Sequence, residues 1–230
     1  MRIISRIRVC SFRNRCFQEV KMESEMLGFS KNKKLRIRLL GDPILAAKAK
    51  RVEKIDDEVR ALAQEMIDVM HDARGIGLAG NQIGLPLQIV VIDVDMPVDE
   101  EGHEIPLESP GEKALLPKMP LCLINPELVA YSKEVCDFEE GCLSVPKIYA
   151  NVVRPCRVTL KSQLLDGSEV ELECGGLLAR VLQHEIDHLK GIVYVQKVED
   201  PAYGEIERDL IKMIRKNGQK NFKVRRLVNS

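Results

Sequence analysis

The sequence predicts an α+β domain, with mostly antiparallel strands around one central helix and a further helix near the C-terminus. Strand-like runs come in neighbouring groups, and the turn signal Asp166-Gly167 favours a hairpin over a crossover connection. The helical patterns do not alternate regularly with these runs. One helical pattern carries H-E-x-x-H at residues 184–188, and we expect it to lie at the centre of the fold.

Composition limits the class of protein. The chain has 230 residues, 45% hydrophobic and 30% charged, which is ordinary for a soluble globular protein with one domain and tails. The formal net charge is zero, so global charge indicates neither a nucleic-acid partner nor a membrane partner. No signal-peptide core or membrane-length apolar span is present in the sequence.

Seven cysteines are irregularly spaced, and no C-x-x-C pair occurs among them. An odd number without a framework favours a reducing compartment, and therefore the cytoplasm. We expect most of these cysteines to be unpaired and buried. They are Cys10, Cys16, Cys122, Cys136, Cys142, Cys156 and Cys174.

The first 34 residues differ from the rest of the chain. The first eighteen contain five arginines and no acid. This pattern is typical of an organelle transit peptide. It also fits a disordered basic arm, or translation that begins at Met22 or Met26, and we favour these last two. We expect one folded domain to span residues 35–200 and a helix with a basic tail to follow over 201–230.

Local signals then place the elements in order. Regular structure is expected from residues 35–40, followed by a turn at Gly41-Asp42-Pro43. Asp56 or Asp57 caps a helix that ends by Gly75.

Residues 87–94 form a β-rich run, predicted to be a buried strand. Residues 95–118 are rich in proline, glycine and acids, so we predict a long surface loop. Two further strands are predicted at 121–124 and 127–131, broken at Asn125-Pro126.

Residues 152–165 alternate as one strand, and Asp166-Gly167 turns the chain into a return strand at 170–172. After the H-E-x-x-H helix, which Gly191 should end, a short strand is predicted at 192–195. Asp200-Pro201 opens a last helix.

Residues 183–188 read Gln-His-Glu-Ile-Asp-His. Positions i and i+4 share one helix face, so His184 and His188 can reach one metal ion. Glu185 lies beside a ligand without being one, which suits it to move protons on bound water. The alternative is a helix with two ordinary histidines.

Two ligands leave a catalytic site in need of a third. Glu199 and Glu205 lie downstream without a recognisable ligand context. Upstream, residues 139–146 read Glu-Glu-Gly-Cys-Leu-Ser-Val-Pro. The thiolate of Cys142 would be a soft ligand for Zn or Fe(II), although a buried free cysteine is the alternative.

Residues 75–82 read Gly-Ile-Gly-Leu-Ala-Gly-Asn-Gln. A phosphate loop is disfavoured, because the Gly-Lys-Ser/Thr ending is absent and the stretch follows a helix. The glycines would let backbone groups lie against a ligand, and Gln82 could donate its amide to an oxyanion. Taken alone, the stretch is equally typical of a turn.

Together, the three stretches resemble the three signature motifs of the peptide deformylases, in the expected order. The resemblance runs from about residue 39 to 198. The second and third motifs match completely. The first departs from the family pattern at Gly80 and Asn81, where alanine and then proline or another small residue are usual. Because Gln82 is kept, we expect altered loop stiffness and retained chemistry.

The resemblance implies an activity: metal-activated water removes the N-formyl group from the N-terminal methionine of nascent chains and releases formate. It implies one divalent ion, Fe(II) in most members, with Zn or Ni as alternatives. Glu185 would be general base and acid, and Gln82 with the backbone N–H of Leu143 would form the oxyanion hole. The metal ligands would be Cys142, His184 and His188, and the substrate-binding residues Ile76, Gly77 and Gly141.

Further residues are expected to support the site. By their adjacency to the motifs on helix and loop, Ile76, Val181 and the aliphatic stem of Arg180 would line the methionine slot, although Arg180 could equally be a solvated charge. Glu140 and Arg154 would orient the imidazoles, and Asp187 could pair with Arg154.

The partners implied are N-formyl-methionyl nascent peptides and, through the basic C-terminal helix, the ribosome. A solvated tail is the alternative, and we expect a monomer. The cations that would contact ribosomal phosphates are Lys212, Arg215, Lys216, Lys220, Lys223, Arg225 and Arg226.

Two rival functions share part of this pattern. A zincin-type endopeptidase would need a third ligand downstream and a long cleft. A non-enzymatic ribosome-binding module with a structural zinc would need a fourth ligand, but His71 and His103 are far from the motifs in sequence.

Overall fold

The computed structural model describes residues 34–217, 224 and 227. The strands in this part of the chain are β1 (Gly77–Ala79), β2 (Ile89–Ile92), β3 (Leu121–Tyr131), β4 (Val135–Cys142), β5 (Val145–Pro155), β6 (Val158–Leu164) and β7 (Glu169–Cys174). The α-helices are α1 (Asp57–Asp72), α2 (Pro110–Leu115), α3 (Gly176–Leu189) and α4 (Ala202–Lys216). None of these helices is both long and apolar enough to cross a bilayer. The expected N-terminal extension falls outside the described residues, apart from Lys34.

The strands form two sheets. One has five strands in the order β1-β2-β3-β6-β7, and the other is the β4–β5 hairpin alone. Each of the five strand pairings is antiparallel. This confirms the α+β prediction.

Helix α3 packs against the five-stranded sheet. Its side chains Leu178, Leu182 and Ile186 are buried in the apolar cluster formed with that sheet. Their spacing of four residues keeps them on one helix face. A second cluster joins the β4–β5 hairpin to α4 and to a short 3₁₀ turn, Tyr194–Gln196, and His184 of α3 stacks on Tyr194 of that turn. The helix is buried from residue 181 to its end.

The ends of the predicted helices are confirmed by their caps. Asp56 accepts hydrogen bonds from the N–H groups of Glu58 and Val59 at the start of α1. Gly191, at φ 77°, follows the end of α3. A Cβ there would lie 2.5 Å from the carbonyl oxygen of Ala46, so this close approach requires glycine.

The predicted loop over residues 95–118 is wrong in its second half, which contains α2 and a 3₁₀ turn, Leu116–Lys118. Ser109 and Glu112 form a capping box at the start of α2, and both are buried. Ser109 Oγ also accepts a hydrogen bond of 3.0 Å from the N–H of Gly175, just before α3. The proline-, glycine- and acid-rich composition therefore predicted a loop where a helix forms, and the N-cap residue of that helix holds the start of α3.

Strand β3 is continuous, so the predicted break at Asn125-Pro126 is wrong. Asn125 has φ 52°, and the register with β6 shifts between Ile124 and Glu127. An irregularity of this kind accommodates a proline without ending the strand.

Three other predicted boundaries are corrected. The run over 152–165 is the end of β5 followed by β6, because the chain leaves the hairpin for the larger sheet. Residues 192–195 form no strand and lead into the 3₁₀ turn. Residues 35–40 form no regular element, although Leu40 donates a backbone hydrogen bond of 2.8 Å to Ser144. The hairpin turn at Asp166-Gly167 and the return strand are confirmed.

The expectation of unpaired cysteines is wrong for Cys136 and Cys156, which form a disulfide. The antiparallel pairing of β4 with β5 places their Cα atoms 5.2 Å apart, inside the range of about 4.4–6.8 Å that a disulfide needs. Cys122 and Cys174 are free and buried, as expected.

Replacing Ser109 with alanine should lower the free energy of unfolding by about 2 kcal/mol, because the N–H groups of Glu112 and Gly175 lose a buried acceptor. Denaturant unfolding measures this. The control is Ser168→Ala in the exposed β6–β7 turn, which should change it by about 0.5 kcal/mol or less. Equal losses in the two variants would contradict the anchoring role of Ser109.

Candidate active site

The three predicted metal ligands come together at the inner end of the hairpin. Helix α3 presents His184 and His188 on one face, and Cys142 ends β4 beside them. One ligand atom from each residue lies within 4.8 Å of the other two, and Cys142 Sγ is 3.2 Å from His188 Nε2. Ligand atoms that each lie about 2.0–2.3 Å from one shared metal ion are separated from one another by distances of this size.

The donor set also fits a divalent ion. His184 Nδ1 lies 2.9 Å from Glu140 Oε2, which directs its other ring nitrogen to the cluster. Tyr194 stacks on the His184 ring, with centroids 5.9 Å apart. Burial lowers the pKa of His188 well below its usual range, so this ring is neutral, as a metal ligand must be.

A buried ion cluster holds this arrangement in place. Arg154 donates to both oxygens of Glu140 at 2.6 and 2.9 Å, and to Asp187 Oδ2 at 2.6 Å. Lys197 reaches the same Asp187 oxygen at 2.7 Å. Burial alone would raise the pKa of Glu140, but hydrogen bonds from His184 and Arg154, with their charges, hold that pKa well below its usual range.

Arg180 is not a solvated charge. Its guanidinium donates to Glu140 Oε1 at 3.0 Å and to the carbonyl oxygens of Val152 and Cys136 at 2.7 Å each. Its side chain is only 11% exposed. Arg180 therefore ties α3 to both strands of the hairpin.

Glu185 lies beside the cluster and faces the Gly77 backbone. A Cβ on Gly77 would lie 2.4 Å from Glu185 Oε1, so glycine is needed for the carboxylate to fit. Glu185 Oε2 is buried and has no hydrogen-bond partner among the described residues. Burial raises the pKa of Glu185 to about 7, which suits a group that both accepts and releases a proton near neutral pH.

The side-chain amide of Gln82 points toward the candidate metal ligand Cys142. The N–H of Ala79 donates to its Oε1 at 2.7 Å, which fixes Nε2 toward the cluster. That nitrogen lies 3.4 Å from both Cys142 Sγ and Ser144 Oγ. Leu143, between these two residues, lines the same cleft.

The unusual Gly80-Asn81 pair leaves Gln82 in position. A Cβ on Gly80 would lie 2.6 Å from the carbonyl oxygens of Leu85 and Leu87. Asn81 is fully buried, and its side chain donates to the carbonyl oxygen of Ala47 at 2.6 Å. The loop is therefore held by contacts of its own.

The cluster opens into a cleft of about 690 Å³. The predicted substrate residues Ile76, Gly77 and Gly141 all line it, as does Val181. Sequence reasoning missed two further apolar lining residues, Phe138 and Leu177. Phe138 shares a face of β4 with Glu140 and Cys142, so the two-residue period of that strand would have found it.

Comparison with known proteins identifies relatives of this chain. A family model described as polypeptide deformylase matches residues 34–202. A peptide deformylase of Picosynechococcus sp. is 41% identical over 166 residues, which are 72% of this chain and 80% of the relative. Peptide deformylase 2 of Gloeobacter violaceus is 45% identical over 166 residues, with the same two shares.

Solved structures show the same likeness. A peptide deformylase from Synechococcus elongatus in complex with actinonin is 35% identical, with a TM-score of 0.66 over 85% of this chain and 93% of that chain. A plant peptide deformylase is 34% identical, with a TM-score of 0.69 over 83% and 94%.

Replacing Arg154 with methionine should cost about 3 kcal/mol of unfolding free energy, because Glu140 and Asp187 would lose their shared buried cation and keep only their contacts with Arg180 and Lys197. Denaturant unfolding measures the loss, and metal content after purification should fall with it. The matched control is Arg157→Met, whose ion pairs are half-exposed and should cost about 1 kcal/mol or less. Similar losses in both variants, or full metal content in Arg154→Met, would refute this role.

Proposed function

This chain belongs to the polypeptide deformylase family and removes the N-formyl group from newly made peptides, and we propose that it does so in the cleft beside Cys142, His184 and His188. The observation that carries the proposal is the meeting of three sequence-distant stretches, residues 75–82, 139–146 and 183–188, around one cleft.

The proposed ligands of one divalent ion are Cys142, His184 and His188. When bound, the ion would supply Lewis acidity and lower the pKa of a water molecule to about 7. We propose Fe(II) as the native ion, with Zn or Ni as alternatives, because one thiolate and two imidazoles suit these metals.

Glu185 is the proposed general base and acid. Its unpartnered Oε2 is free to take a proton from the attacking water. As the C–N bond of the formamide breaks, the same carboxyl returns a proton to the leaving amine. The products are formate and a peptide with a free N-terminus.

Gln82 and Leu143 are the proposed oxyanion hole. The amide of Gln82 is already oriented by its bond from Ala79, so little reorganisation is needed as negative charge develops on the formyl oxygen. The backbone N–H of Leu143, in the turn after Cys142, would donate to the same oxygen.

The peptide is proposed to bind as an added strand. β1 lies at the edge of the five-stranded sheet and lines the cleft through Gly77, with Ile76 just before it. Unpaired backbone groups at a sheet edge accept an extended peptide. Gly141 on β4 would face the peptide from the other side.

An apolar slot would receive the methionine side chain. The apolar residues that line the cleft include Ile76, Phe138, Leu177 and Val181. Phe138 and Leu177 are 61% and 47% exposed, so a bound side chain would cover apolar surface that otherwise faces water.

The geometry disfavours both rival functions. A zincin-type peptidase takes its third ligand from downstream, whereas the described cluster uses Cys142, upstream of α3. A structural zinc is enclosed by four ligands. This cluster has three and opens into the cleft.

The C-terminal segment is proposed to contact the ribosome, with residues 35–200 as the catalytic domain of a monomer in the cytoplasm. Leu210 and Ile214 bury one face of α4 against the hairpin cluster. Lys212, Arg215 and Lys216 are exposed on the same helix, where they are available to phosphates. The other four predicted cations, Lys220, Lys223, Arg225 and Arg226, lie outside the described residues.

Glu185→Gln should slow formate release from an N-formyl-methionyl peptide by about 10²- to 10⁴-fold, because the general base is lost while the side-chain volume is kept. The assay uses protein prepared without oxygen and loaded with Fe(II) or Ni(II), and metal content should stay unchanged. Glu171→Gln on exposed β7 is the control. A fully loaded Glu185→Gln enzyme with the parent rate would exclude this role.

Changing Lys212, Arg215 and Lys216 together to glutamine should weaken co-sedimentation with ribosomes, most at low salt, because phosphate contacts are lost. Formate release from a free peptide should not change. Glu205→Gln with Glu207→Gln, on the same helix, is the control and should not weaken binding. Undiminished co-sedimentation of the basic-residue variant would end the proposal for α4.

A further inference from the structure

The Cys136–Cys156 disulfide brackets the hairpin that carries the site. Cys136 is the second residue of β4, and Cys156 directly follows β5, 20 residues later. Between them lie Glu140 and Cys142 on one strand and Arg154 on the other. The hairpin forms a sheet of its own. At its open end the disulfide joins the two strands, and the N–H of Cys156 donates a hydrogen bond of 2.9 Å to the carbonyl oxygen of Glu134.

Cys136 is also connected to the ion cluster through its backbone. Its carbonyl oxygen accepts a hydrogen bond of 2.7 Å from Arg180, whose guanidinium donates to Glu140 as well. Glu140 in turn contacts His184. A shift of the first residues of β4 would therefore move a guanidinium that positions a candidate metal ligand.

The disulfide is accessible to small reagents. Cys136 is exposed and Cys156 is half-buried. Both line a solvent-open cavity of about 480 Å³, separate from the catalytic cleft but sharing Phe138, Leu177 and Arg180 with it. Arg157 and Arg180 line this cavity together with the carboxylates of Glu108, Glu112 and Glu134, so its wall is charged and hydrated.

The two buried cysteines behave differently. Burial raises the pKa of Cys122 and of Cys174 to about 12, so both stay as thiols at neutral pH. Thiols in this form do not exchange, since the thiolate is the attacking species.

We propose that Cys136 and Cys156 form a reversible thiol–disulfide site that exchanges with small thiols of the glutathione type, and that its oxidised form braces the hairpin bearing Glu140 and Cys142. This site lies outside the proposed deformylase chemistry. It responds to the surrounding redox state instead of acting on the substrate.

The exchange is a two-electron reaction. A glutathione thiolate attacks Sγ of Cys136, the sulfur bond to Cys156 breaks, and the Cys156 thiolate takes up a proton. A second glutathione thiolate then attacks the glutathione sulfur of the mixed disulfide, and Cys136 leaves as a thiolate that is protonated. Two glutathione molecules are oxidised to one glutathione disulfide as the protein disulfide becomes a dithiol.

The first test is a redox titration of the full-length, Ni(II)-loaded chain in buffers of varied glutathione to glutathione disulfide ratio. Alkylation of the native protein, followed by peptide mass spectrometry, reports each cysteine. Cys136 and Cys156 should become labelled together along one two-electron curve, while Cys122 and Cys174 stay unlabelled. A pair that is labelled at every ratio, or at none, would overturn the exchange site.

The second test measures bracing without using activity. The oxidised protein should have an unfolding equilibrium constant on the order of 100-fold smaller than the reduced protein, because a loop of about 20 residues is closed. It should also lose Ni(II) to a chelator more slowly. The control with Cys136→Ser and Cys156→Ser should match the reduced form at every glutathione ratio. Equal stability and equal Ni(II) loss in the two redox forms would refute bracing, whatever the deformylase assay shows.

Discussion

The site depends on one buried interaction, the contact of the Arg154 guanidinium with Glu140 and Asp187. Glu140 belongs to the hairpin and Asp187 to helix α3, so a single cation joins the two elements that carry the candidate ligands. All three side chains are buried, and an uncompensated charge there would be costly. The relative position of Cys142 and the two histidines is thus set by charge pairing as well as by apolar packing.

Burial on both sides of α3 makes that pairing possible. One face of the helix packs against the five-stranded sheet, and on the other side Arg180 and Gln183 donate hydrogen bonds to the hairpin strands while His184 stacks on Tyr194. Water is therefore excluded from Glu140 and from His188, and contacts between their charges and donors are stronger than they would be at the surface. Glu185, Gln82 and several apolar side chains line the cleft, whereas Arg154 and Asp187 of the ion cluster do not.

Local sequence patterns correctly predicted the structural features that depend on residues close together in the chain. Three features that involve residues only a few positions apart have the predicted form. They are the shared helix face of His184 and His188, the cap at Asp56 and the turn at Asp166-Gly167. Errors arose where a long-range partner decides. Cys136 pairs with Cys156 because the register of β4 and β5 brings them together, and neither segment carries a periodic signal for this pairing. The missed helix α2 is a different case, because its capping box of Ser109 and Glu112 is a local signal that the proline-rich composition hid.

By itself, the sequence determined which residues are the candidates for the chemistry, because ligand, base and amide types at fixed spacing are carried by short motifs. Only the tertiary structure decided how they are held. There Arg180 is a largely buried link between α3 and the hairpin, Glu185 Oε2 has no hydrogen-bond partner among the described residues, and Cys136 is bonded to Cys156. The physical reason is that burial, ion pairing and disulfide formation depend on strand register and helix packing. Both bring together residues that are tens of positions apart.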